Sequence, residues 1–178
     1  LFGLPLPLTA IQILWVNLVT DGLPATALSL DPHAKGIMKR KPRPTRENIL
    51  SKELSWNIVI FGVLMGIAGL VLFKLYLQTG LMKAQTIVFT SLVLFEVVRI
   101  QMVRSEYKLG IFSNKLLLWA VIISIGLHLL TIYSPMAVWF KTVPLSLIDW
   151  GVMIITTIVL YVVYKILHKV LLSKIHKN

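Results

Sequence analysis

Five apolar stretches, each long enough to cross a bilayer, constrain this chain more than any other feature. A spanning helix needs roughly 17–25 predominantly apolar residues, and residues 6–30, 53–77, 84–102, 116–133 and 148–167 all fall in that range. The runs are continuous and do not alternate, so helices are the structure that satisfies the backbone in lipid. Turn and breaker residues separate them: Asp31-Pro32, Pro42 and Pro44, Gln78-Thr79-Gly80, Ser113-Asn114 and Ser134-Pro135. The pattern predicts an all-α fold, a polytopic transmembrane helical bundle of five spanning helices forming one domain over residues 1–178. Composition agrees, with 57% hydrophobic and 14% charged residues, far from the balance of a soluble domain.

The formal net charge is +11, yet nucleic acid is excluded as a partner. The basic residues do not share a face with aromatics; they collect in segments that flank apolar runs, as at a membrane surface. The chain has no cysteine, which removes disulfides and thiolate metal sites. No charged leader precedes the first run, so that run is not a signal peptide.

Lys and Arg also set the orientation. One side of the membrane collects Lys35, Lys39, Arg40, Lys41, Arg43, Arg46 and Lys52, then Arg99, Arg104, Lys108 and Lys115, then Lys165, Lys169, Lys174 and Lys177. The other has Lys74, Lys83 and Lys141. Positive charge stays inside, which places the 31–52 loop and the C-terminus in the cytoplasm and the N-terminus outside. A chain that starts outside without a signal, and with Leu1 in place of Met, is expected to be cut from a longer protein with upstream spans. After residue 165 the helical pattern continues with one apolar and one basic face, either an amphipathic extension at the headgroups or a solvated helix end.

Polar groups inside a span are costly and mark function. The first span carries Gln12, Asn17, Thr20 and Asp21, followed by Gly22 and Pro24. In an α-helix Asn17, Thr20 and Asp21 stand on one face. Pro24 cannot bond the Thr20 carbonyl, which predicts an unwound stretch just after Asp21, the device by which transporters build ion sites. Amide, hydroxyl and carboxylate oxygens suit a hard cation such as Ca²⁺; Na⁺ and Mn²⁺ meet the same donors. The alternative for Asn17 and Thr20 is hydrogen bonding to neighbouring helices. Glu96 is the other intramembrane acid. Counted from the outer ends of their helices, Asp21 lies ~22 Å deep and Glu96 ~18 Å, similar heights that allow one shared cation cluster. Arg99, three residues on, either snorkels to the headgroups and leaves Glu96 free, which is the preferred reading, or neutralises it.

Other residues have plainer readings. His128 is expected to be a hydrogen-bonded core residue, and Gly62, Gly66 and Gly69 to permit close helix approach. Lys141 with Trp139 and Asp149 with Trp150 are expected to be outer-interface anchors, and Trp56, Trp119 and Tyr133 belt or packing residues.

Residues 14–32, LWVNLVTDGLPATALSLDP, closely resemble the sixth transmembrane helix of calcium-type P-type ATPases, and residues 36–43, GIMKRKPR, resemble the cytoplasmic loop that follows it. The likeness continues through Glu96, residues 124–133 and residues 140–150, and so covers helices six to ten. It implies that Asn17, Thr20, Asp21 and Glu96 are metal ligands for transported Ca²⁺. It further implies that loop 35–52 touches a phosphorylation domain, and that the protein is an ATP-driven exporter in the plasma membrane. By the same resemblance ATP and Mg²⁺ belong to cytoplasmic domains whose phosphorylation motif is absent here, and helices one to five are partners within the same pump. This part alone is then expected to lack ATPase activity and to have no catalytic residue. Arg99 departs from the reticulum-type pattern, where the residue is neutral. Two other classes remain open: a non-catalytic membrane scaffold or accessory module, and a secondary carrier, for which the expected inverted repeats are not found.

Overall fold

A computed structural model describes residues 5–32, 52–107 and 109–175. The expectations for loop 35–52 fall almost wholly outside these residues. Among them the chain is helical with no strand. Four helices are long and apolar enough to cross a membrane: α3 (Lys52–Leu77), α4 (Leu81–Glu106), α5 (Lys115–Tyr133) and α7 (Leu147–Ile175). The N-terminal rod is composite, made of α1 (Ala10–Trp15), a π-helical segment (Val16–Asp21) and α2 (Gly22–Leu28). A short α6 (Ala137–Phe140), not expected from the sequence, fills the connection from α5 to α7. Beyond residue 165 the helix continues, with α7 running unbroken to Ile175.

Helices α3 and α4 pair closely across a three-residue turn, and α7 packs on both. The turn is possible because Gly80 adopts φ 128°, a backbone region open to glycine. Phe61, Leu72, Phe73 and Tyr76 of α3 meet Ile87, Val88, Phe95 and Met102 of α4 and Met153, Leu160 and Tyr164 of α7. Only Gly69 of the three α3 glycines faces α4, with Val88 Cγ1 3.8 Å from where its Cβ would stand. Gly62 and Gly66 have nothing within 4 Å among the described residues, so among those residues they mediate no helix approach.

The composite rod lies against α4 on one side and α5 on the other. At its outer end Thr9 and Gln12 form a capping box, and Gln12 Nε2 also donates to the Phe140 carbonyl at 3.0 Å. Gln85 of α4 donates to the Leu6 carbonyl at 2.8 Å. At the cytoplasmic end Asn114 caps α5 through Leu117 N–H and donates to the Ala27 carbonyl at 3.0 Å and to Asp31 Oδ1 at 2.8 Å. Arg104 joins this cluster, with Nε 2.9 Å from Asp31 Oδ2 and a further bond to Ser113 Oγ at 2.7 Å. Counted by sequence as a flanking charge, Arg104 is in fact buried, its side chain 3% exposed.

Asp149 also departs from expectation. It is buried and pairs with Lys83 Nζ at 3.0 Å while accepting from Ser146 N–H, so it ties α7 to α4 and is not a headgroup anchor. Trp150 Nε1 donates to Tyr133 Oη at 2.9 Å. Trp56 and Trp119 are exposed on the outside of the bundle, as belt residues are. His128 is buried and lies 3.2 Å from Thr90 Oγ1, in keeping with the core role expected of it.

Candidate functional site

Three of the four oxygen-bearing residues singled out by sequence sit on the widened segment of the composite rod. The irregularity lies earlier than expected. In place of unwinding after Asp21, the helix adopts π geometry across Val16–Asp21 and returns to α geometry at Gly22. Pro24 accounts for the displacement. It has no N–H to offer the turn before it, so the mismatch is absorbed on the N-terminal side. Single π turns inside α-helices are concentrated at functional sites.

The widened turn also changes how the three side chains are presented. Asn17 is exposed on this chain, Asp21 is half-buried and Thr20 is buried. Thr20 Oγ1 donates to the Val16 carbonyl at 2.7 Å. Its proton is thereby committed, while its oxygen lone pairs stay available. Among the described residues, Asp21 Oδ1 is buried without a hydrogen-bond partner, a costly condition for a carboxylate oxygen.

Glu96 lies on α4, which packs against the π segment. Asp21 thus stands on a segment packed against the helix that carries both Glu96 and Arg99. Arg99 Nε is 3.4 Å from Glu96 Oε2. The preferred expectation, that Arg99 turns away and leaves Glu96 free, is corrected here. The guanidinium is half-exposed yet remains on the carboxylate, because the two stand one turn apart on the same face. Its outer side borders a cleft of about 260 Å³ shared with Asn57, Phe61, Glu106 and Tyr164.

The structure thus pairs Glu96 with Arg99 on α4, sets the π segment of Asp21 and buried Thr20 against that helix, and leaves Asn17 exposed. Among the described residues no group of three or more His, Cys, Asp or Glu side chains could hold a metal ion. A Ca²⁺ cage of 6–8 oxygens would have to draw on amide, hydroxyl and carbonyl oxygens as well. Sequence reasoning overlooked one neighbour, Ser124 of α5, whose Oγ donates to the Val19 carbonyl at 3.2 Å. The available signal was a small hydroxyl residue interrupting an apolar run.

Residues 5–170 match the family model described as cation transporting ATPase, C-terminus. The chain belongs to this family. Among curated relatives of this C-terminal ATPase region, a calcium-transporting ATPase of Bacillus subtilis is 43% identical over 161 residues, covering 86% of this chain and 18% of the relative. Calcium-transporting ATPase 1 of Bacillus cereus is 34% identical over 189 residues, covering 94% of this chain and 21% of the relative. The mouse calcium-transporting ATPase type 2C member 1 is 33% identical over 187 residues, covering 100% of this chain and 20% of the relative. The chain therefore spans about a fifth of the length of these relatives. As a C-terminal region of the cation-transporting ATPases it is a multi-pass membrane segment, in agreement with its four long apolar helices.

Proposed function

We propose that this chain is the C-terminal membrane domain, residues 1–178, of an ATP-driven pump that exports Ca²⁺ across the plasma membrane, with Asn17, Thr20, Asp21 and Glu96 as its contribution to the ion site. The observation that carries this reading is the packing of the π segment against α4, the helix of Glu96, with Asp21 Oδ1 buried and without a hydrogen-bond partner among the described residues. Two carboxylates in a membrane interior cost several kcal/mol unless a cation joins them. Hard oxygens replace the hydration shell of Ca²⁺ without demanding rigid geometry. The relatives are named calcium-transporting ATPases, which supports the choice of ion.

In this reading Ca²⁺ enters from the cytoplasmic side, toward which α2 and the C-terminal half of α4 point. Asp21 and Glu96 supply charge, Thr20 supplies the lone pairs its own hydrogen bond leaves free, and Asn17 supplies an amide oxygen on the face turned to the pump's remaining helices. ATP and Mg²⁺ act on cytoplasmic domains outside this chain, and loop 35–52 relays their phosphorylation state to the rod. The chain alone hydrolyses no ATP. Arg99 holds one side of Glu96 and takes the place a further cation would otherwise fill.

The test is Ca²⁺-dependent ATPase activity of the full-length protein carrying Asp21→Asn or Glu96→Gln. Each exchange is expected to raise the half-activating Ca²⁺ concentration at least tenfold, about the loss of one charged ligand. Unchanged Ca²⁺ dependence in both variants refutes the site and leaves a scaffold role in its place.

A further inference from the structure

We propose that Ser124 of α5 is a positioning residue for the cation site: its hydroxyl sets the orientation of the π segment by holding the Val19 carbonyl. This inference rests on the reading of Thr20 and Asp21 as ligands. It begins from a backbone accounting. In π geometry the Val19 carbonyl would accept from the residue five positions on, which is Pro24 and has no N–H. The structure gives this carbonyl Gly22 N–H in its place, a bond of shorter span. It adds the Ser124 hydroxyl at 3.2 Å from a residue 105 positions away.

The consequence for the site is geometric. The Val19 carbonyl and the Thr20 N–H belong to one planar peptide unit. A donor that fixes the carbonyl direction therefore fixes the start of the Thr20 and Asp21 backbone. Thr20 contributes nothing to this restraint from its side chain, which bonds back to Val16. Ser124 is 3% exposed, so no solvent competes for its proton, and α5 packs on both the π segment and α2. Below it Asn114 holds the Ala27 carbonyl, so α5 grips the rod at two heights. Only the upper grip falls on the widened turn.

Two variants of equal shape separate hydrogen bonding from packing. Ser124→Thr keeps the hydroxyl and Ser124→Val replaces it with a methyl group. Both are measured in the full-length protein in native membranes, using Ca²⁺ itself as the probe. Ser124→Val is expected to raise the half-activating Ca²⁺ concentration about fivefold, the effect of one buried hydrogen bond. The rate at saturating Ca²⁺ and the KM for MgATP stay as in the parent. Ser124→Thr is expected within twofold of the parent. Thr156→Val serves as the control, since that hydroxyl bonds only Val152 of its own helix, and no shift is expected. If Ser124→Val does not accumulate, Ser124→Ala gives the same reading in a smaller side chain. An unmoved Ca²⁺ dependence in Ser124→Val overturns the proposal, as does an equal shift in the Thr and Val variants or in Thr156→Val. Asp21→Asn run in parallel separates the two levels. If it abolishes Ca²⁺ dependence while Ser124→Val does nothing, only the positioning role falls. If Asp21→Asn also does nothing, the site itself falls.

Discussion

Exchanging Arg104 for methionine should loosen the cytoplasmic end of the bundle more than any change at an exposed charge. The guanidinium is buried, with Nε 2.9 Å from Asp31 Oδ2 and a second bond to Ser113 at 2.7 Å. At an effective dielectric of about 20, charges at that separation attract by about 6 kcal/mol before desolvation is counted. Removing one partner leaves Asp31, itself largely shielded, with the Asn114 amide as its remaining side-chain donor among the described residues. Breaking a buried pair in this way costs about 3–5 kcal/mol. The lower end applies here, because Asp31 keeps one donor and its side chain is 16% exposed. A loss of about 3 kcal/mol lowers the melting temperature of a domain this size by about 6–12 °C. Heating the full-length protein in detergent and measuring the monodisperse fraction by size exclusion reads this directly. Arg104→Met with Asp31→Leu should recover at least half of the drop, because no charge is then left buried alone. A drop below 2 °C in the single variant, or losses that simply add in the double, would refute the argument.

Two further predictions concern the site. Arg99→Ala removes the cation that stands on Glu96, and equilibrium binding of radiolabelled calcium is expected to show one more ion per phosphorylation site; an unchanged ratio would mean the guanidinium occupies no ion's place. Pro24→Ala returns an N–H to the turn and is expected to draw the π segment back toward α geometry, raising the half-activating Ca²⁺ concentration at least tenfold while thermal stability holds or rises. Calcium dependence equal to the parent would detach the widened turn from ion binding.

The long helices were legible because a span is a local property: length and unbroken apolarity mark α3, α4, α5 and α7 without reference to anything else in the chain. Asp21 and Glu96 stand out in the sequence for a related reason, since a carboxylate within such a run is costly. What escaped depends on partners distant in sequence. Arg104 looks like any basic residue near a helix end until Asp31, 73 positions away, is brought beside it. Asp149 beside Trp150 reads as an interface anchor until Lys83 is brought to it from another helix. Gly62 and Gly66 follow a packing motif but meet no neighbour among the described residues. The position of the π segment was half legible: Pro24 announces a fault in the ladder, but backbone sterics alone do not say on which side the chain absorbs it.

The composite rod is fastened near both ends, to Phe140 and Gln85 above and to Asn114 and Arg104 below. A beam clamped at its supports bends where its section is weakest, and here that is the turn already off the regular ladder. Such a beam cannot slide lengthwise without breaking a clamp. A small rotation at mid-length leaves these end clamps intact and loads the Ser124 bond to the Val19 carbonyl instead.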